Sequence, residues 1–143
     1  MKTLLMLGIA VLALTLVACS SQNQTGSSQA LGETVEVEGG SYIAIDIQEL
    51  QGMLENKDFT FVNVHIPFEG NIPNTDLSIP YDDIEAHLDE LPADKAAKIV
   101  LYCRSGRMSA IAAEELVKLG YTNVWNLKQG FMDWEQSGLQ LER

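Results

Sequence analysis

The sequence predicts an α/β fold in which a parallel five-stranded sheet carries helices on both faces. From residue 41 onward, short apolar runs of strand character alternate with segments whose apolar residues recur at helical spacing. One of the runs, residues 98–102, is apolar almost throughout, which is typical of a parallel strand that is buried on both sides. Alternation of strand and helix along a chain favours a parallel sheet between two helical layers.

Capping and breaking residues mark the boundaries of the individual elements. Asp46 and Glu49 have the spacing of a capping box at the start of a helix. Pro92 ends the second helix, and Gly120 ends the third. Strands are predicted at residues 42–45, 59–64, 77–79, 98–102 and 124–127, and helices after Asp46, at 82–91, at 108–119 and around 131–136.

The first 18 residues have the pattern of a bacterial secretion signal. Lys2 precedes an apolar run at residues 4–16 that is short for a membrane span. The run closes with Leu16-Val-Ala-Cys19, which resembles the lipobox of bacterial lipoproteins. By that resemblance, residues 1–18 are a signal peptide, and Cys19 becomes the lipidated N-terminus of the mature chain. An ordinary cleaved signal and an uncleaved anchor helix are the alternatives.

Small and polar residues dominate the segment that follows Cys19. Residues 19–40 are rich in Ser, Gln, Gly and Glu, and we expect them to form a flexible tether between the lipid anchor and a domain at residues 41–143. This organisation predicts a location at the extracytoplasmic face of a bacterial membrane. With Cys19 acylated, Cys103 is left without a partner for an internal disulfide, since the chain has two cysteines.

Charge and motif content exclude several functional classes. The chain carries 9 Lys and Arg against 20 Asp and Glu, a formal net charge of −11, which argues against a nucleic-acid partner. The same charge argues against binding an anionic lipid surface without the acyl anchor. The sequence has no Cys and His cluster at metal-ligand spacing and no glycine-rich dinucleotide fingerprint. We therefore expect no metal and no cofactor.

The segment Ile99-Val-Leu-Tyr-Cys-Arg-Ser-Gly-Arg-Met-Ser109 has the features of a reactive thiol. The apolar run ends at Cys103, a glycine-containing turn with Arg104 and Arg107 follows, and an alanine-rich helix begins directly afterwards. Backbone N–H groups of such a turn and the positive end of the helix form an anion site, and the arginines add positive charge. Both favour the thiolate over the thiol. The alternative is an inert cysteine buried at a strand end.

Residues 42–141 resemble a single rhodanese domain, the sulfurtransferase fold. The resemblance rests on Ile99-Val-Leu-Tyr-Cys-Arg-Ser-Gly-Arg107, on Leu119-Gly-Tyr-Thr-Asn-Val124, and on Leu127-Lys-Gln-Gly-Phe-Met-Asp-Trp134 with Gly138. It implies that Cys103 accepts a sulfane sulfur as a persulfide and passes it to a thiophilic acceptor. It also implies that the loop after Cys103 binds the donor, through Arg104, Ser105, Gly106, Arg107, Met108 and Ser109.

The chain departs from that family at three places. One is Gly70-Asn-Ile-Pro-Asn-Thr-Asp76, where members commonly have Gly-His-Ile-Pro-Gly-Ala before the third strand. Members commonly have Asp-Val-Arg after the second strand, where this chain has Asn63-Val-His65. Asn63 and His65 are therefore candidates for positions just behind the site, and His65 is either a structural replacement for the missing arginine or a proton relay. Met108 occupies a position that is often arginine, and a more apolar rim there favours an organic persulfide over thiosulfate. His87 lies among acidic residues and is interpreted as a surface residue.

These features favour a membrane-anchored sulfurtransferase whose partners are a small-molecule sulfur donor and a thiol or other thiophilic acceptor. We expect the chain to be a monomer, held to the membrane by its lipid. Phosphatase or arsenate reductase chemistry also uses a cysteine in an anion-binding loop, but those loops generally carry arginine six positions after the cysteine, where this chain has Ser109. A non-catalytic thiol sensor or interaction module is the other alternative.

Overall fold

A computed structural model describes residues 30–143. The predicted signal peptide, Cys19 and residues 19–29 of the predicted tether lie outside the described residues. The strands are β1 (Glu33–Val37), β2 (Gly40–Ile45), β3 (Thr60–Asn63), β4 (Leu77–Ser78), β5 (Ile99–Tyr102) and β6 (Val124–Leu127), and the α-helices are α1 (Ile47–Glu55), α2 (Arg107–Lys118) and α3 (Gly130–Gln136).

The strands form one sheet with six strands in the order β1-β2-β6-β5-β3-β4. β2, β6, β5, β3 and β4 are parallel, which confirms the predicted parallel sheet, and β5 lies near its centre. The prediction of five strands was wrong by one, because β1 adds an antiparallel edge strand next to β2.

The added strand also corrects the predicted tether, which extended to residue 40. Val37 pairs with Gly40 across a two-residue turn, and Gly39 takes a φ of 90° there. Val35 and Val37 alternate with polar residues along β1 and pack against the core, so this segment buries apolar surface despite its glutamates. The folded domain therefore begins before residue 41.

β5 contributes side chains to two separate cores, one on each face of the sheet. Ile99, Leu101 and Cys103 belong to the core beneath α2, whereas Val100 and Tyr102 belong to the core that includes residues of α1 and α3. All of these side chains are buried. Alternate residues of a strand face opposite sides of the sheet, which explains both the continuous apolar run and the helices on both faces.

The capping box predicted for α1 is present. Asp46 Oδ1 accepts hydrogen bonds from the N–H groups of Gln48 and Glu49 at 3.0 and 2.9 Å. The Glu49 carboxylate accepts the Asp46 N–H at 2.9 Å in return. This reciprocal pair satisfies amides that have no acceptor within the helix, so α1 begins where the sequence predicted.

The helix predicted at residues 82–91 is instead a short 3₁₀ helix, Ile84–His87, followed by turns. Its first residue is preceded by Asp83, whose side chain makes no capping hydrogen bond. The acidic side chains pair with His87 instead, Glu90 at 2.6 Å and Asp83 at 3.3 Å. The hydrogen bond that the His87 ring donates to Glu90, together with the charge of Asp83, raises the pKa of His87. The segment lies between Pro80 and Pro92 and has no capping side chain at its start. A helix this short is not stable in water unless capping or packing stabilises it.

The buried Tyr102 hydroxyl holds the loop between β3 and β4 against the sheet. It accepts the Ile72 N–H at 3.0 Å, lies 2.7 Å from the Thr75 hydroxyl and 3.3 Å from Asn71 Oδ1. Burial raises the pKa of Tyr102 to about 12. The loop that follows β3 is therefore anchored by a side chain of β5, the strand that ends at Cys103.

Within residues 30–143, no helix is both long and apolar enough to cross a membrane.

Tyr102→Phe is expected to lower the free energy of unfolding by about 1–3 kcal/mol, because it leaves the buried Ile72 N–H without an acceptor. The folded pKa of Tyr102 is raised from 10.0 to about 12, so the neutral phenol stabilises the fold at low pH and that stabilisation is lost as the pH rises from 10.0 to about 12. The stability difference between the two proteins should therefore shrink over this range. Urea unfolding at neutral and alkaline pH measures it, and a difference independent of pH would contradict the role assigned to the phenol.

Candidate active site

Cys103 lies at the carboxyl end of β5, near the middle of the parallel sheet. Its side chain points to the α2 face and is 1 % exposed. The carboxyl ends of parallel strands are the usual place for a ligand in sheets of this type. The sequence placed the cysteine at this edge, and the structure agrees.

Two hydrogen-bond donors, one from the following turn and one from the first turn of α2, approach the sulfur. The Gly106 N–H donates to Cys103 Sγ at 3.1 Å, and the Ser109 hydroxyl lies 3.5 Å from the same atom. The Ser109 hydroxyl has one proton, which it can give either to the sulfur or to the Gly106 carbonyl at 3.2 Å. Both donors favour a sulfur that carries negative charge.

Two backbone hydrogen bonds join the turn after Cys103 to the start of α3. The carbonyl of Cys103 accepts the Phe131 N–H and that of Arg104 accepts the Met132 N–H, each at 2.9 Å. A trans peptide places its C=O and N–H on opposite sides, so the amides of Arg104 and Ser105 point away from α3. Two consecutive amides are thus directed to the same side, as the predicted anion-binding turn would require.

Two glycines allow the backbones to approach this closely. Gly106 has a φ of 88°, and a Cβ there would overlap the Lys128 carbonyl. Gly130 has a φ of 60°, and a Cβ there would overlap the Cys103 carbonyl. At both positions the φ angle is in the left-handed region, and a backbone carbonyl of another segment occupies the space where a Cβ would lie. Glycine is the residue that meets both conditions.

A pocket of about 270 Å³ opens above the cysteine. Six of its lining residues were predicted from the sequence as site residues, whereas Tyr81 and Ile111 were not. The six are His65, Cys103, Arg104, Ser105, Arg107 and Met108. Gly106 and Ser109, the other two predicted loop residues, are buried beside the sulfur and contact it directly.

The two arginines of the loop differ in their surroundings. Arg104 is exposed, and its Nη1 lies 3.7 Å from Glu69 Oε1. Arg107 is the first residue of α2 and is exposed in the pocket wall, and no ion pair forms at it among the described residues. Positive charge near the sulfur is therefore partly compensated by a carboxylate that the sequence did not point to.

Asn63 and His65, which were predicted to lie just behind the site, have different roles. Asn63 is buried at the end of β3 and holds the following loop, donating to the Gly70 carbonyl at 3.0 Å and accepting the His65 N–H at 3.0 Å. His65 reaches the pocket, where its Nε2 lies 3.0 Å from Glu69 Oε2 and its ring stands edge-on to Phe131. Asn63 therefore positions the loop, and His65 is the member that borders the pocket.

Sequence reasoning missed four residues that shape this region. Tyr81 and Ile111 line the pocket, and Glu69 contacts both Arg104 and His65. Asn126 is buried in β6, and its Nδ2 lies 3.5 Å from the Gly106 carbonyl. The asparagine inside the apolar run of β6 was the one visible signal, because a buried amide needs a partner.

A larger groove of about 570 Å³ adjoins the cysteine pocket and shares Tyr81 and Ile111 with it. Its remaining lining residues are mostly acidic: Asp82, Asp83, Glu85 and Glu115, with Ile84 and Ala86. Size alone would favour this groove as the active site, but the thiol and its donors lie in the smaller pocket. Across residues 30–143 there is no cluster of His, Cys, Asp or Glu that could hold a metal ion.

The sequence and the fold are both similar to those of known rhodanese-like proteins. The sequence profile of the rhodanese-like domain matches residues 36–137. A sulfurtransferase of Allochromatium vinosum is 35% identical over 101 residues, 68% of this chain and 92% of the relative. A thiosulfate sulfurtransferase of Glaesserella parasuis is 26% identical over 104 residues, 71% of this chain and 94% of the relative. The crystal structure of a rhodanese-like domain protein from Staphylococcus aureus superposes with a TM-score of 0.57 at 30% identity, covering 70% of this chain and 98% of that one.

Gly130→Ala is expected to destabilise the protein more than Gly138→Ala, although both glycines have positive φ. A Cβ at Gly138 meets nothing within 4 Å, so only the backbone cost of about 1–2 kcal/mol applies there. At Gly130 the new Cβ must displace the Cys103 carbonyl, and we expect a loss of about 3 kcal/mol or more. Urea unfolding of both variants makes the comparison, and equal losses would show that the turn does not depend on this close approach.

Proposed function

The chain belongs to the rhodanese-like domain family, and we propose that it is a sulfurtransferase that carries sulfane sulfur on Cys103 as a persulfide. The observation that carries the proposal is the sulfur of Cys103 beneath the pocket, contacted by the Gly106 N–H at 3.1 Å and by the Ser109 hydroxyl at 3.5 Å. Relatives named as sulfurtransferases that match most of the domain support it.

In the first half of the proposed reaction, the Cys103 thiolate attacks the outer sulfur of the donor. A new S–S bond forms to Cys103 while the S–S bond of the donor breaks, and its electron pair leaves with sulfite if the donor is thiosulfate, or with a thiolate if it is an organic persulfide. The amides of the turn and the side chains of Arg104 and Arg107 are placed to bind the anionic donor and leaving group.

In the second half, a thiophilic acceptor attacks the outer sulfur of the persulfide. The bond between the two sulfurs breaks, and its electron pair returns to Cys103 as the thiolate, so no external oxidant or reductant is needed. The persulfide places its outer sulfur in the pocket above Sγ, within reach of an acceptor that enters from solvent. The donors around Sγ can stabilise the thiolate at both stages.

We further propose that the domain acts at the extracytoplasmic face of a bacterial membrane, anchored through Cys19. The sequence of residues 1–19 supports this proposal, through the apolar run and the lipobox-like ending at Cys19. Acyl chains on that residue would hold the domain stably, since each buried methylene contributes about 0.8 kcal/mol.

Cys103→Ser is expected to abolish sulfur loading while the fold is kept, because a hydroxyl has nearly the same size but is not a sulfur nucleophile. We expect the wild-type chain to gain the mass of one sulfur atom on exposure to thiosulfate and to lose it when excess thiol is added. Cys19→Ser is the matched control, since it removes the other cysteine and should load as the wild type does. Intact mass spectrometry measures the change. Loading of the Cys103→Ser chain would exclude Cys103 as the carrier. No loading of any chain, from thiosulfate or from an organic thiosulfonate, would favour a sensor or interaction module.

Cys19→Ala is expected to abolish incorporation of labelled fatty acid when the full chain is expressed in a bacterium that processes lipoproteins. The variant should also lose its cleavage before residue 19, which a shift in mass on an immunoblot detects. Cys103→Ser serves as the control, because it should still be lipidated. A Cys19→Ala chain that is cleaved normally without lipid would point to an ordinary secretion signal.

A further inference from the structure

A single carboxylate stands beside the proposed sulfur-transfer pocket and is shared by two of its wall residues. Glu69 places Oε1 3.7 Å from Arg104 Nη1 and Oε2 3.0 Å from His65 Nε2. Glu69 belongs to the loop after β3, which Asn63 and Tyr102 hold in place, so its position is set by the core of the domain. Glu69 thus lies outside the loop that follows Cys103 and reaches it from a different part of the sheet.

His65 contacts Glu69 from the buried side of the pocket wall. The His65 side chain is 9 % exposed, and its Nε2 lies 3.0 Å from Glu69 Oε2. The Glu69 side chain is 40 % exposed, so its carboxylate stays accessible to solvent. Glu69 also lies beside Arg104 and therefore offsets part of the positive charge that this arginine brings to the pocket wall.

Part of the pocket wall is apolar, and the groove next to it is acidic. Tyr81, Met108 and Ile111 form the apolar part, and Ile111 is 45 % exposed. Tyr81 and Ile111 also border the groove, which is lined by four carboxylates. The pocket wall itself holds two cations, of which Arg104 is paired with Glu69 and Arg107 forms no ion pair among the described residues.

We propose that Glu69 is a specificity-determining residue that makes the pocket select a weakly charged organic sulfur donor over the thiosulfate dianion. The inference rests on the proposed sulfurtransferase function and assigns its donor class. Repulsion scales with the charge of the donor, so one carboxylate opposes a dianion about twice as strongly as a monoanion at the same distance. Glu69 is also the ion-pair partner of Arg104, so this arginine is less available to pair with a dianionic donor.

Two donors separate charge from sulfur chemistry. Thiosulfate carries two negative charges, and benzenethiosulfonate carries one negative charge and an apolar ring. Each gives up its outer sulfur to the Cys103 thiolate by the same exchange: the new bond forms to Cys103, the old S–S bond breaks, and sulfite or benzenesulfinate leaves with the electron pair. The ratio of kcat/KM for the two donors, at one fixed concentration of a common acceptor thiol, therefore reports recognition of the donor.

Glu69→Gln tests the proposal with little change of shape. Glutamine keeps an oxygen that can accept the His65 Nε2–H while it removes the charge and releases Arg104. We expect kcat/KM for thiosulfate to rise several-fold and that for benzenethiosulfonate to rise much less, so the preference for the organic donor falls. The difference should weaken at high ionic strength, since Glu69 and Arg104 are exposed.

Glu55→Gln is the matched control, because it removes the same charge at the C-terminal end of α1, just before the chain enters β3. This end of the sheet lies opposite the cysteine, so the ratio should stay at the wild-type value. Ile111→Ser tests the apolar wall separately and should lower kcat/KM for benzenethiosulfonate more than that for thiosulfate, because only the former carries an apolar ring.

The outcomes distinguish this inference from the proposed function. If Cys103 loads from both donors but Glu69→Gln leaves their ratio at the value of the wild type and of Glu55→Gln, Glu69 does not determine specificity and the sulfurtransferase function stands. If the wild-type chain prefers thiosulfate, the assigned donor class is wrong. If neither donor loads Cys103, the proposed function fails and the inference fails with it.

Discussion

The candidate site depends on the hydrogen bonds by which the start of α3 holds the carbonyls of Cys103 and Arg104. With those carbonyls directed toward α3, the amides of Arg104 and Ser105 point away from it. The close approach is possible because Gly106 and Gly130 have no Cβ at the points where two backbones meet. The thiol environment is therefore built by contacts between segments that are more than twenty residues apart in the chain.

Among the described residues, the hydrogen bonds to the Cys103 sulfur come from Gly106 and Ser109 and not from the arginines. Both contacts lie within the buried part of the site, where an electrostatic interaction is little screened. Arg104 is 56 % exposed and shares Glu69 with His65, and exposed pairs of this kind contribute about 0–1 kcal/mol. The arginines line the pocket, whereas Gly106 and Ser109 contact the sulfur itself.

Patterns within one element were predicted well, and features that depend on neighbouring elements were not. The strand at residues 124–127 and the helix that follows Cys103 were predicted within one residue, because their apolar spacing and the glycine after α2 are local signals. The segment at residues 82–91 has helical spacing but no cap, and it folds as a 3₁₀ helix. β1 was assigned to a tether on its composition, although Val35 and Val37 alternate as in a strand.

Sequence patterns among neighbouring residues were enough to predict the α/β fold, the end of β5 at Cys103 and the glycine-containing turn next to the thiol. These features follow from side-chain periodicity, capping and backbone freedom, all of which act between residues close in sequence. Tertiary packing alone brought Glu69 to Arg104. It also brought Ile111 to the pocket wall and Phe131 to the Cys103 carbonyl. Those pairs are set by strand order and by the path of the loop after β3, and no short-range pattern encodes which distant residues meet.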